Sequence, residues 1–231
     1  YALNEVVFKK KLYTLDQVIK AMDTNFQGAL GQKIRDALLA VPKFGDDSSE
    51  KAIEWVNKVM HMWNIALDSV GNVPRNGRYS AGYYALTVNT RYGERTPALP
   101  SGRLKGVPLA NSITPHDRMA LASLLASPKY MAGGDFVEHA QNGATATLTI
   151  DSALFQDKGG AKKLASLFKT YLEKGGMQLQ PNVVNRDILL EAYEHPEKYP
   201  HLMVRIAGYC AYFNELSDEM KKTIINRACY T

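Results

Sequence analysis

The chain has 231 residues, 45% of them hydrophobic, which supplies enough apolar material for a substantial core and argues against intrinsic disorder. Its formal charge of +5 comes from Lys and Arg interleaved with Asp and Glu, so the excess forms no basic tract of the kind that marks a nucleic-acid binder. The two cysteines, Cys210 and Cys229, exclude a disulfide framework and a four-cysteine zinc or iron–sulfur site, although one bridge between them stays chemically open. The histidines lack a short metal-binding spacing such as HExxH, so no protein-bound metal is expected. No apolar run is long enough to cross a bilayer, and the opening YALNEVVFKKKLYTLDQV lacks a basic-then-apolar layout. These features predict a soluble, cytoplasmic protein without nucleic-acid or membrane partners.

Lys9 to Lys11 read as a solvated helix end or loop. The segment YTLDQVIKAMDTNFQG then places Leu15, Val18, Ile19 and Met22 at helical spacing with Thr14 as N-cap, and Gly28 and Gly31 interrupt it. QKIRDALLAV repeats the pattern with Ile34, Leu38 and Leu39 and stops at Pro42. PKFGDDSS is a turn-rich linker, and Gly31, Pro42 and Gly45 are assigned structural work beside helix ends. EKAIEWVNKVMHMWNIALDSV predicts a long amphipathic helix whose Ile53, Val56, Met60, Trp63 and Leu67 recur near one face and are read as core.

From Pro74 to Asn111 one short strand-like run is followed by dense Gly and Pro, a loop either on the surface or folded inward around a reactive centre. Strands are predicted over NGATATLTI and over MQLQPNVV, the second interrupted at Pro181, with the helix AKKLASLFKTYLEKGG between them capped at Gly175. NRDILLEAYEHPEKYP gives a short helix halted before Pro196. Leu202 to Ile206 reads as a buried strand, Gly208 as a turn, and SDEMKKTIINRACYT as a closing helix capped at Ser217. The alternation of helices and isolated strands makes the fold class mixed α/β.

Taken alone, Gly208 reads as a flexible turn residue. Three ordered blocks point further. VRIAGYCAYFNELSDEMKKTIINR resembles the C-terminal signature of glycyl radical enzymes, in which Arg-Val-(Ala/Ser)-Gly-Tyr precedes a small residue, an aromatic and a final helix ending Ile-Ile-x-Arg. LEKGGMQLQPNVVNRDILLEAYEHPEKYPHLMVRIAGY resembles the family stretch in which a Gly-Gly turn, a Gln-rich strand, Asn-Val-Val and His-Pro-Glu-x-Tyr lead to the radical glycine. RTPALPSGRLKGVPLANSITP resembles its Pro- and Gly-punctuated segment. The chain is thereby identified as similar to the C-terminal portion of the pyruvate formate-lyase-like superfamily, nearer its dehydratase, decarboxylase and alkylsuccinate synthase branches.

The resemblance implies that Gly208 is the catalytic residue. Loss of its α hydrogen leaves a radical delocalised over the neighbouring amide nitrogen and carbonyl, and no side chain disturbs that planarity. Val204, Ile206, Tyr209, Tyr212 and Phe213 would pack first and shield the radical second, and Arg205 would anchor the loop by a charge-assisted hydrogen bond. The implied fold is the C-terminal part of a ten-stranded barrel with surrounding helices. Residues 1–110 would be barrel region with helices and Gly/Pro-rich loops, and 111–231 the glycyl radical domain.

The implied cofactor is the backbone glycyl radical itself, with S-adenosylmethionine and an iron–sulfur cluster confined to a separate activating enzyme. Further implied partners are the N-terminal remainder of the same enzyme, a small organic substrate and further copies in a homo-oligomer. In the family a thiyl radical on an upstream cysteine attacks substrate, whereas Cys210 and Cys229 lie beyond the glycine. The chain opens at Tyr1 in a phrase that resembles the middle of a longer member, so a C-terminal fragment, cleavage product or natural subunit is expected. The expected activity is an anaerobic lyase of C–C or C–O bonds. The alternatives are a fumarate-adding alkyl- or arylalkylsuccinate synthase, a stand-alone subunit that repairs a damaged radical enzyme, and a scaffold whose glycine is merely structural. The segment around Arg91 to Pro100 would contribute polar groups near a cavity, while Thr145, Thr147 and Thr149 occur in the strand-like run, and none of these names a leaving group.

Overall fold

The computed structural model describes residues 1–46, 50–71, 74–84, 88–116, 131–155, 159–206, 208–226 and 229–230. In chain order its main elements are a π-helical turn Asn4–Lys9, α1 (Leu15–Asp23), α2 (Gly28–Leu39), α3 (Glu50–Asp68), α4 (Val88–Arg95), α5 (Phe136–His139), β1 (Thr145–Asp151), α6 (Gly160–Glu173), β2 (Gln178–Val184), α7 (Arg186–Glu194), β3 (Met203–Arg205), β4 (Cys210–Tyr212), α8 (Asp218–Asn226) and β5 (Cys229–Tyr230). The mixed helix and strand content agrees with the predicted class. Two compact units share the chain, one from Tyr1–Lys43 with Val88–Leu109, the other from Phe44–Thr87 with Ala110–Thr231.

In the first unit, Val6, Val18, Phe26, Ile34, Leu38 and Ala98 form one buried cluster. α1 starts where expected because Thr14 and Gln17 make a reciprocal capping box: the Gln17 amide donates to Thr14 Oγ1 at 3.2 Å and the Thr14 amide donates to Gln17 Oε1 at 2.9 Å. Gly31 does not end a helix. It lies inside α2, where a Cβ would stand 2.6 Å from the Phe26 carbonyl carbon, so the close approach of the Phe26 backbone requires it. Lys9, Lys10 and Lys11 are solvated at the end of the π-helical turn, as read.

Of the strand-like run before Asn111, residues 85–87 lie outside the described residues; Tyr83 bridges Ala144, and Val88 and Asn89 open the helix α4. Tertiary contacts override the local preference here. Asn89 is buried and donates from Nδ2 to the Leu109 carbonyl at 3.3 Å, while its own carbonyl accepts from the Leu109 amide at 3.1 Å. Below it the buried Arg103 guanidinium donates to the carbonyls of Gly93 at 2.7 Å, Pro97 at 3.0 Å and also Val107, and its burial lowers its pKa by desolvation.

In the second unit β1 is central, pairing in parallel with β2 from Thr145↔Gln178 to Asp151↔Val184 and with β5 at Thr149↔Cys229 and Ile150↔Tyr230. Alternation sends Ala146, Leu148 and Ile150 into a core with Leu167 and Tyr171 of α6. Pro181 does not interrupt β2. It sits opposite Leu148 in a strand bonded on one side of this sheet, where a residue without an N–H can be accommodated. The closing helix is described over Asp218–Asn226, residues 227 and 228 lie outside the described residues, and Cys229–Tyr230 form β5 where helix was predicted, because their backbone finds an open edge of β1.

α3 corrects the predicted stripe. Met60 is buried against Phe136, Ala140 and Ala144 with Val56 packed beside it, but Trp63 is 54% exposed, as are the neighbouring Val59, Met62 and Ile65 to a similar degree. One narrow face of this helix meets the core, and the Trp63 position lies outside it. Among the described residues no helix is long and apolar enough to cross a membrane, and no cluster of His, Cys, Asp or Glu is placed to hold a metal ion.

Candidate functional site

β3 and β4 form an antiparallel hairpin with Met203↔Tyr212, Val204↔Ala211 and Arg205↔Cys210 in register. The loop between them runs through residues 206 to 209, closed by a hydrogen bond from the Ile206 amide to the Tyr209 carbonyl at 3.0 Å. Gly208 stands near the tip of this loop and is exposed. Ala207 lies outside the described residues.

The hairpin rests on a core, with Val204, Ile206 and Phe213 buried among Val184, Leu189, Ala192, Ile224 and Ile225. A brace holds its far end. Asn214 Nδ2 donates to the carbonyls of Pro196 at 2.8 Å and Tyr199 at 3.0 Å, and the Phe213 amide donates to the Leu202 carbonyl at 2.7 Å. Asn185 starts α7 by accepting from the amides of Asp187 and Ile188, at 2.8 and 3.1 Å. Near the end of that helix the Glu191 carboxylate accepts from Tyr199 Oη at 2.6 Å and Lys198 Nζ at 3.1 Å. Those bonds, the tyrosine's first, hold its pKa below the usual carboxylate value.

The packing part of the sequence reading holds for Val204, Ile206 and Phe213, whereas Tyr209 and Tyr212 are 48% and 40% exposed. For Tyr212 the reason is the pleat, which turns it away from the core that Ala211 packs against, whereas Tyr209 lies in the loop outside the strand pair. Arg205 does reach the loop, its Nη2 donating to the Gly208 carbonyl at 3.4 Å and its Nη1 lying 3.9 Å from Cys210 Sγ. Cys210 is a free, exposed thiol.

Gly208 itself differs from the glycines that the fold demands. Its φ is outside the left-handed range in which Gly175 (φ +99°) and Gly45 (φ +97°) are found, and a Cβ built on it meets nothing within 4 Å. Among the described residues neither backbone strain nor crowding requires glycine at this position.

Beneath the hairpin the second face of the β1–β2 pair is polar and buried, carrying Thr145, Thr147, Thr149, Gln180 and Asn182. Thr145 Oγ1 donates to Gln178 Oε1 at 2.8 Å, while Thr147 Oγ1, Gln180 Oε1 and Asn182 Nδ2 have no hydrogen-bond partner among the described residues. Asn182 Oδ1 accepts from the Arg205 amide at 3.2 Å and so joins this face to β3. Sequence reasoning assigned Asn182 no role; its place in the Asn-Val-Val block was the available signal. The Arg91 to Pro100 segment belongs wholly to the first unit, the threonine run and Gly208 to the second.

The family model described as glycine radical matches residues 109–214, and that described as pyruvate formate lyase-like matches residues 1–93. The chain is 29% identical over 234 residues to the trans-4-hydroxy-L-proline dehydratase of Clostridioides difficile, covering 98% of this chain and 28% of that protein. A solved structure reported for 1,2-propanediol dehydration in Roseburia inulinivorans superposes with a TM-score of 0.91 at 31% identity, covering 99% of this chain and 29% of the other. The glycerol-bound form of the B12-independent glycerol dehydratase from Clostridium butyricum gives a TM-score of 0.92 at 28% identity, covering 100% of this chain and 29% of the other. The chain thus spans under a third of the length of these relatives. Together the two family models account for most of the sequence, the hairpin loop included, and the chain belongs to the glycyl radical enzymes.

Proposed function

We propose that Gly208 stores the unpaired electron of an anaerobic glycyl radical lyase, and that the whole enzyme cleaves a C–O bond with loss of water from a small hydroxyl-bearing substrate. The observation that carries the first part is the place of Gly208 near the tip of the hairpin loop, inside the segment matched by the glycine radical family model, where a Cβ meets nothing within 4 Å among the described residues, so packing within this chain does not account for the glycine. Abstraction of one α hydrogen leaves a planar centre conjugated with the flanking amides, and a side chain would twist it. The dehydratases among the relatives support the second part.

In this reading the hydrogen atom passes from Gly208 to a carbon radical made by a separate activating enzyme from S-adenosylmethionine at an iron–sulfur cluster. The exposed loop tip is the form that such a partner can reach. Docked in the whole enzyme, the loop enters a ten-stranded barrel that supplies the shielding, Tyr209 and Tyr212 being exposed within this chain. Residues 1–110 contribute to that barrel and 111–231 form the radical domain, a division supported by the family-model matches at 1–93 and 109–214. The thiyl that meets substrate belongs to a cysteine other than Cys210, whose thiol lies beside Arg205 in the same hairpin. The enzyme works as a homo-oligomer in the cytoplasm.

Anaerobic activation of the native protein with its activating enzyme tests this reading. The expected electron paramagnetic resonance signal is a doublet from the one remaining α hydrogen. It collapses when glycine is deuterated and is absent from Gly208→Ala. A doublet that persists in the alanine variant would assign the radical elsewhere.

A further inference from the structure

We infer that Arg205 is a positioning residue that polarises the Gly208 carbonyl and so tunes the radical at the neighbouring α carbon, an inference that rests on the reading of Gly208 above. Arg205 is the last residue of β3, paired with Cys210 at the mouth of the loop. Val204 and Ile206 on either side of it are both 1% exposed and seated in the core. Alternation along the strand therefore turns the Arg205 side chain away from that core and towards the loop.

Its main chain is fixed as well. The Arg205 amide donates to Asn182 Oδ1 at 3.2 Å, and Asn182 is 4% exposed on the buried polar face of β2. With its backbone held at that point, the guanidinium lies across the turn, Nη2 3.4 Å from the Gly208 carbonyl oxygen and Nη1 3.9 Å from Cys210 Sγ. A planar fork reaches both groups at once, which a single ammonium on a flexible stem does not.

The position matters because of where the unpaired electron goes. An α-carbon radical between two amides is stabilised by donation from its nitrogen and withdrawal by its carbonyl. A cationic donor on that carbonyl oxygen strengthens the withdrawal, moves spin density from the α carbon towards oxygen and weakens the α C–H bond that must be broken. Bonds to a charged donor are about twice as strong as neutral ones. The contact is long enough to tune the centre without enclosing it, which leaves the α carbon open to the activating partner.

The test compares wild-type, Arg205→Gln and Arg205→Lys forms of the native protein, each made with carbonyl-13C glycine and activated anaerobically. Thermal melting and activating-enzyme binding are followed in parallel. In wild type the doublet is expected with a defined carbonyl-13C coupling and g anisotropy. In Arg205→Gln both are expected to shift, with a radical lifetime under anoxia about tenfold shorter, the size of effect that one lost charged hydrogen bond produces. Arg205→Lys, which keeps the cation, is expected to fall between the two and to decide the matter if the glutamine variant does not fold or activate. Coupling, anisotropy and lifetime equal to wild type in an activated variant overturn the role of Arg205. Absence of the doublet in wild type, or its persistence in Gly208→Ala, instead overturns the reading of Gly208.

Discussion

The main-chain amide of Arg205 donates to the carboxamide oxygen of Asn182 at 3.2 Å, tying the strand that leads into Gly208 to the buried polar face of β2. β3 is only three residues long, so this bond is a large share of what holds its exposed-loop end. Removing the acceptor takes one hydrogen bond from a partly buried amide, at a cost of about 0.5–1.5 kcal/mol. Asn182→Ala is expected to lower stability by that amount and to accelerate hydrogen exchange at the Arg205 amide far more than at amides in α6. Asn182→Asp, which retains an acceptor oxygen, restores the slow exchange at that amide.

Gly31 and Gly208 are expected to respond oppositely to alanine. A Cβ at Gly31 would overlap the Phe26 carbonyl carbon at 2.6 Å, and overpacking of this kind costs about 1–3 kcal/mol. At Gly208 the same group meets open space, so Gly208→Ala should stay within about 0.5 kcal/mol of wild type. Denaturant melts of the two variants check the contrast. Wild-type stability combined with complete loss of the radical would separate chemistry from packing at Gly208.

Dioxygen should cut the activated chain at Gly208. Addition at the α carbon places the damage on the main chain, so scission there releases a short C-terminal piece that begins around Gly208 and contains Tyr209 to Thr231. Mass analysis after brief exposure of the activated protein to air is expected to find that piece, and to find none in Gly208→Ala or in protein that was never activated.

Tyr171 should make the fold sensitive to alkali. Its ring is buried in the β1–α6 core and burial pushes its pKa up from 10.0 to about 12. Below pH 10 the phenol is protonated folded and unfolded alike. Above it the unfolded chain loses the proton first, so the stability contributed at this position falls as pH rises from about 10 towards 12. Tyr171→Phe removes that loss together with a weak bond from Oη to the Gln178 carbonyl at 3.3 Å. The stability difference between wild type and the phenylalanine variant, measured from pH 8 to 11, is expected to shift in favour of the variant above about pH 10.

What could be read from the residues alone was what depends on neighbours in sequence. The Thr14–Gln17 capping box needs only residues three apart, Asn185 caps α7 through the amides two and three residues on, and each of the three blocks that carry the family is a continuous run of sequence. The apolar alternation of β1 was legible for the same reason. Tertiary structure decided the rest. Val88 and Asn89 became helix because Asn89 bonds Leu109, twenty residues on. Trp63 is exposed because α3 meets the core along one narrow face, and β5 forms because an edge of β1 was open to it. The candidate site divides in the same way. The local motif named Gly208, but that it needs no glycine for packing, and that Asn182 and Arg205 bracket it, depends on distances between strands that pattern does not contain.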